Sequence, residues 1–233
     1  MRPALTLLSL VTALALFGVV GGARAGGAQA PTPVTSAPVT LPPITLSSPE
    51  CRPDIGTVTL GSAKPDAASA RMAQIFAEDQ AARQGGPGNI DWNRVAQEDE
   101  RRREEVLGLL KAGRLARGQD FYHAALVFQH GDCSDHYFFA SQLARAALAR
   151  SVTQAGWLYA ATFDRWQLSQ GQPQKYGTQF VAPEPCAFRL AKYDPDTTDA
   201  ERSRYGVPPL AAALAQAEEL SAGCRANRKG QNF

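Results

Sequence analysis

All three histidines of this chain fall inside one short window, D-F-Y-H-A-A-L-V-F-Q-H-G-D-C-S-D-H-Y, as His123, His130 and His136. Asp132, Cys133 and Asp135 stand among them. Nowhere else do metal-ligating and acid–base residue types concentrate in this way. His130, Cys133 and His136 could converge around a turn, with Asp132 or Asp135 helping, in a set that zinc or copper accepts. His123 cannot share a metal with His130, because seven residues of helix hold them about 10 Å apart. Cys133 could instead act as a nucleophile beside His130. A plain structural reading outweighs both. It puts Cys133 in a disulfide, His130 at a helix C-terminus where positive charge is favoured, and His136 on the surface. The expectation is therefore no metal and no cofactor.

A second group of reactive types lies further on: Asp164, Arg165 and Q-K-Y-G-T-Q, Gln174 to Gln179. Asp164 shares a helical face with Trp157 and Ala161, so its carboxylate must find partners or bear a large burial cost. The loop that follows has backbone amides to offer, and Gly177 suits a backbone shape that only glycine tolerates. In the functional version of this reading, His130 is a general base and Arg165 or Arg202 clamps an anion. Gln129, Gln174, Tyr176, Thr178 and Gln179 then complete one polar cleft with Asp164.

The elements that must position these residues begin after an export signal. Arg2, an apolar run from Leu5 to Val20 and Ala23-Arg24-Ala25 read as a signal peptide, 1–25, cut after Ala25. The alternative is an uncleaved N-terminal membrane anchor. Residues 26–65 are rich in Pro, Thr and Ser, which favours a disordered linker, pinned at Cys51. A single helical domain is expected over 66–224 and a disordered tail over 225–233.

Helical spacing runs over Asp66–Arg83, Asp91–Lys111, Phe121–His130 with Asp120 as N-cap, Asp135–Arg150, and from Thr153 or Gln154 to a Gly171 cap. Met72, Ile75, Phe76 and Asp79 stand at helical spacing on one face, Trp92, Val95, Val106, Leu109 and Leu110 supply another, and Phe138, Phe139 and Leu143 a third. The charged run from Glu98 to Glu105 reads as a solvated face with Glu98–Arg102 and Asp99–Arg103 pairs. K-Y-G-T-Q-F-V-A and C-A-F-R-L-A-K-Y alternate and read as a small β-hairpin. A short helix capped by Thr197 or Thr198 and a last helix opened by V-P-P-L follow. The fold class is mainly α: an antiparallel helical bundle or hairpin layer, similar in texture to Sel1-like or tetratricopeptide repeats, with a β-hairpin near the C-terminal third.

Net charge is +2 with the signs interspersed, which leaves no electrostatic footprint for nucleic acid. No second stretch approaches the roughly 20 apolar residues of a membrane span, so no span remains after signal cleavage. Four cysteines, Cys51, Cys133, Cys186 and Cys224, suggest two disulfides in an exported chain. Three pairings are possible. Pairing neighbours along the chain gives Cys51–Cys133 and Cys186–Cys224, and spacing leaves the other two open.

Several motifs recur in a known pattern: D-x-x-R at Asp99–Arg102, Q-H-G at Gln129–Gly131, D-R at Asp164–Arg165 and G-x-P-Q-x-Y-G-T-Q over Gly171–Gln179. D-x-x-R recurs at Asp199–Arg202, and G-x-x-P-L spans Gly206–Leu210. On these the stretch from Asp99 to Leu210 resembles an uncharacterised bacterial family, a domain of unknown function. The resemblance implies a domain and marks positions; it implies no activity.

The resulting expectation is a secreted or periplasmic, non-catalytic helical module that binds a ligand or an envelope protein. The alternative is a hydrolase-type enzyme using His130 with Asp164 and the Y-G-T-Q loop. One distance separates the two: the enzyme needs His130 within hydrogen-bond reach of Asp164.

Overall fold

Apolar residues at helical spacing, punctuated by glycine turns, make most of this chain helical. The structure is a computed structural model that describes residues 42–61, 67–84 and 89–230. The expected signal peptide, residues 26–41 and 62–65 of the expected linker, and residues 231–233 of the expected tail lie outside the described residues. The elements in order are β1 (Ile44–Leu46), β2 (Gly56–Val58), α1 (Ala67–Ala81), α2 (Trp92–Lys111), α3 (Gly118–Phe128), α4 (Ser134–Leu148), α5 (Ala155–Ser169), β3 (Phe180–Val181), β4 (Arg189–Leu190), α6 (Asp199–Ser203) and α7 (Leu210–Gly230).

The α3, α4 and α5 helices form the central layer, each packed on the next, with α1 and α2 laid against α3. Alanine makes this possible. Ala124, Ala125, Ala140, Ala144, Ala146, Ala147 and Ala155 are all fully buried, and small side chains at the contacts let helix axes approach closely. Larger residues fill the remaining space: Met72 and Ile75 from α1, Val106 and Leu110 from α2, Phe121 and Phe128 from α3, Phe139 and Leu143 from α4. Each such side chain contributes about 1.5–3 kcal/mol on burial.

Local signals set the helix ends. Asp91 caps α2 by accepting from the backbone of Asn93 and Arg94, both at 3.1 Å. Asp120 is not the N-cap of α3. The helix begins at Gly118, and the Asp120 carboxylate reaches back to the Arg117 amide at 3.0 Å and takes the Ser69 hydroxyl at 2.9 Å. Gly171, with φ +74°, ends the α5 turn, and Thr198 caps α6.

Part of the stretch expected as linker is folded. β1 and β2 pair antiparallel, Ile44 opposite Val58 and Leu46 opposite Gly56. Ile55, Val58 and Leu60 enter the main core, and Cys51 is bonded to Cys133. Burial of these side chains and the cross-link offset the entropy of ordering a proline-rich segment. The expected hairpin of the C-terminal third is present, with Phe180 opposite Leu190. Ala213 and Ala217 of α7 pack on it, and Cys186–Cys224 joins the two. Helix α7 runs on to Gly230, through most of the residues expected as tail.

The charged centre of α2 is not a solvated face. Asp99, Arg102 and Arg103 are buried. Glu98 and Arg102 pair as expected, at 2.9 Å. Asp99 pairs with Arg102 instead of Arg103, at 2.6 Å, because Arg103 is drawn inward to backbone carbonyls of other segments.

Candidate functional site

The end of α3 is where charged groups from four segments meet. Asp79, fully buried on α1, lies 2.9 Å from Nδ1 of His130. Arg83 donates to the Asp79 carboxylate at 3.1 Å, to its backbone carbonyl at 2.9 Å, and to Asp99. Gln80 donates to the other Asp79 oxygen at 2.8 Å. Arg103 donates to the His130 carbonyl at 3.2 Å and to the Arg52 carbonyl. Arg165 of α5 donates to the Gln129 carbonyl. Burial works against the Asp79 carboxylate, but the hydrogen bond from His130, the Arg83 charge and the Gln80 hydrogen bond prevail and hold it below its ordinary value. Burial lowers His130, and its hydrogen bond to Asp79 opposes that shift. Such a ring, neutral and donating from Nδ1 to a carboxylate, presents a bare lone pair on Nε2.

A cleft of about 250 Å³ opens beside this network. Helix α2 contributes Trp92, Val95, Ala96 and Asp99; the α3–α4 turn contributes Gln129, His130 and Gly131; α4 and α5 contribute Tyr137 and Arg165. Trp92 was expected on the apolar inner face of α2, yet it is 54 % exposed. Gln129 is buried and its Nε2 has no hydrogen-bond partner among the described residues, a state that costs about 1–3 kcal/mol. Burial raises the Tyr137 phenol, so it remains a donor, while the nearby Arg165 charge pulls it down. The Arg165 guanidinium stands 5.5 Å from the Tyr137 ring centre. Burial lowers Arg165 from its ordinary value, without removing its charge.

Asp164 neighbours Arg165 in sequence but belongs to different surroundings. Its Oδ1 accepts the amides of Lys175 and Tyr176, both at 2.8 Å. Its Oδ2 accepts the Thr178 amide at 3.0 Å and the Thr178 hydroxyl at 2.7 Å. Burial pushes this carboxyl upward, and the four donors oppose that. Gln174 Oε1 accepts the Gln179 amide at 2.8 Å, and its Nε2 donates to the carbonyls of Gln179 and Ala191. Gln179 Nε2 donates to the Ala161 carbonyl at 3.2 Å. The Tyr176 carbonyl accepts from fully buried Arg202. Gly177 has φ +76°, and a Cβ there would meet Arg202 at 2.6 Å.

The single cleft expected from the sequence is therefore divided. Gln129, His130 and Arg165 line the cleft. Asp164, Gln174, Tyr176, Thr178, Gln179 and Arg202 do not; hydrogen bonds spend them on fixing the loop. The expected His130–Asp164 pair is not made, and Asp79 takes its place.

The expected metal set is also redrawn. Among the described residues, the group with donor atoms within 4.8 Å of one another is Cys51, Cys133 and His136, without His130. The cysteines pair as Cys51–Cys133 and Cys186–Cys224. His136, expected on the surface, is fully buried. His123 stacks on Phe76 with ring centres 4.3 Å apart.

Three contributors were given no part in a site by the sequence. Asp79 was placed on the helical face of Met72 and Ile75, without a partner. Trp92 was assigned inward because periodicity does not say which stripe of a helix finds a partner. Nothing local singled out Tyr137. No protein-family model, no curated protein and no solved structure matches this chain.

Proposed function

We propose that this chain is an exported, non-catalytic binding module whose α2–α4 cleft takes a small ligand or chain terminus bearing a carboxylate. The buried Gln129 Nε2, which has no hydrogen-bond partner among the described residues, carries the reading, because a ligand acceptor reaching it as the lining side chains part would supply the missing hydrogen bond. The rest of the lining agrees in sign. Tyr137 and Arg165 are donors. Asp99, the carboxylate among the lining residues, is already engaged by Arg83 and Arg102. The exposed indole of Trp92, with Val95 and Ala96, offers apolar surface to the rest of the ligand. The volume falls below the roughly 300–1,000 Å³ of most small-molecule pockets, which suits a small acid or a terminus better than an extended chain.

Export is supported by the signal-like N-terminus and by two disulfides, which persist in oxidising compartments. Among the described residues no helix is long and apolar enough to cross a membrane. Retention by an uncleaved anchor remains the alternative localisation, and an envelope protein presenting a carboxyl terminus is the alternative to a free small acid.

The test is a titration followed by amide and indole NMR, using an acetylated dipeptide with a free carboxylate and the same dipeptide as its amide. The carboxylate form should shift the Trp92 indole and Gln129 side-chain signals, and the amide form should not. Identical responses to both, or none at Trp92 and Gln129, reject the reading.

One observation favours a second reading. Asp79 orients His130 as a carboxylate orients a catalytic base, so a water-activating enzyme could use His130 Nε2. It would lose turnover in His130→Gln while keeping ligand affinity, whereas a binding module has no turnover to lose.

A further inference from the structure

We propose that Cys51, Cys133 and His136 form a redox-gated zinc site, in which reduction of the Cys51–Cys133 disulfide releases two thiolates that bind one zinc ion together with Nδ1 of His136.

The histidine is already arranged as a ligand. Its Nε2 lies 3.0 Å from the Pro53 carbonyl oxygen, which can only accept, so Nε2 carries the hydrogen. In the neutral ring the lone pair is then on Nδ1. A backbone carbonyl holding the far nitrogen is the usual outer support of a metal-binding histidine. Nδ1 is buried and has no hydrogen-bond partner among the described residues. Oδ1 of exposed Asp132 stands 3.4 Å from Nδ1. A lone pair facing a carboxylate is unfavourable, and a cation between them satisfies both. Arg103, 3.9 Å from the same oxygen, competes only weakly. The ring lies over Gly131, where a Cβ would come within 2.6 Å of Nδ1.

The sulfurs complete the set. The donor atoms of Cys51, Cys133 and His136 lie within 4.8 Å of one another, and those of a zinc tetrahedron stand about 3.5 Å apart. Cys133 is the N-cap of α4, a position that favours a thiolate. Two sulfurs and one nitrogen leave one position of four-coordinate zinc, which the exposed Asp132 carboxylate, outside the preformed group, fills by turning inward. The chemistry balances with a dithiol as reductant. It supplies two electrons and two protons, the S–S bond breaks, and the reductant closes its own disulfide. Zinc then displaces the two thiol protons to solvent, and no further electron moves.

The test is native mass spectrometry of the full exported chain, oxidised or reduced with dithiothreitol and desalted under nitrogen, with zinc chloride added. One zinc is expected on the reduced chain and none on the oxidised chain. Cobalt(II), used as a probe, should show thiolate charge-transfer absorption. Cys186→Ser/Cys224→Ser should still bind zinc, and Cys51→Ser/Cys133→Ser should not. His136→Gln should weaken binding at least tenfold. Circular dichroism is read for each variant. Should His136→Gln unfold, Asp132→Asn at an exposed residue must still weaken binding severalfold. No zinc on the folded, reduced chain overturns the proposal. So does equal uptake by the oxidised chain or by Cys51→Ser/Cys133→Ser, or unchanged affinity in the folded histidine and aspartate variants.

Discussion

Nδ1 of His130, at the end of α3, lies 2.9 Å from Oδ1 of Asp79 on α1. This contact, between residues far apart in sequence, fixes which ring nitrogen faces away from the network. It also couples the cleft to the α1–α3 packing. Asp79→Asn would take the carboxylate from His130 and one of two from Arg83, which keeps Asp99. Weakening buried hydrogen bonds in this way costs about 1–3 kcal/mol, and a fall of that size in urea unfolding is expected. Glu104→Gln, at an exposed position, should change stability by less than about 0.5 kcal/mol.

Acid should weaken the fold through the histidines. Burial lowers His123, His130 and His136 alike. Below about pH 6.5 the unfolded chain takes up protons that the folded chain still refuses. The unfolded state then binds more protons, so stability rises with pH across that window. It is complete above about pH 6.5 and declines as pH falls, by at most about 1.4 kcal/mol per pH unit for each histidine. The decline stops where the folded rings themselves protonate. The urea midpoint should be lower at pH 5.5 than at pH 7.5, and His130→Gln should flatten the dependence. A midpoint that holds or rises on acidification would contradict the burial of these rings.

Trp92 separates binding from folding. Its side chain is largely exposed, so Trp92→Ala should change the unfolding free energy by no more than about 0.5 kcal/mol. It should nevertheless weaken capture of the carboxylate dipeptide at least tenfold by calorimetry. A variant that binds normally would remove the cleft from consideration.

Two glycines should answer the same substitution with opposite signs. A Cβ on Gly131 would sit 2.3 Å from the His136 Cβ, whereas a Cβ on Gly108 meets nothing within 4 Å. Gly131→Ala should destabilise by about 1–3 kcal/mol through overpacking. Gly108→Ala, inside α2, should stabilise by about 0.5–1 kcal/mol. Chemical denaturation of the pair reads both, and equal effects would refute the close approach of His136 to Gly131.

The disulfides make a direct prediction. The unreduced chain, unfolded in denaturant, should show no free thiol, and reduction should release four. The closed loops span 82 and 38 residues, so loop entropy predicts that losing either bridge costs about 4 kcal/mol. A titratable thiol before reduction would count against both pairs.

The helices from α1 to α5, the α6 cap and the C-terminal hairpin were legible because each is encoded within a few residues, by apolar spacing or by a Thr or Gly at a boundary. The Asp164 loop was half-legible. A carboxylate on an apolar face had to find donors, and the amides after Gly171 were the nearest available. The hairpin at Ile44–Val58 was not legible. Its prolines argued for an open linker, and only the core that receives Ile55 and Val58 makes folding favourable.

The sequence by itself determined the mainly helical class, the turns and the concentration of reactive residues between His123 and His136. These rest on periodicity and on local backbone preference, which act over one or two turns. Tertiary structure alone decided the partners. It sent His130 to Asp79 rather than Asp164, drew Arg103 inward from a run that looked solvated, and left Trp92 outside. Those choices depend on which helix faces come together, and the burial cost of a charge falls due only when they do.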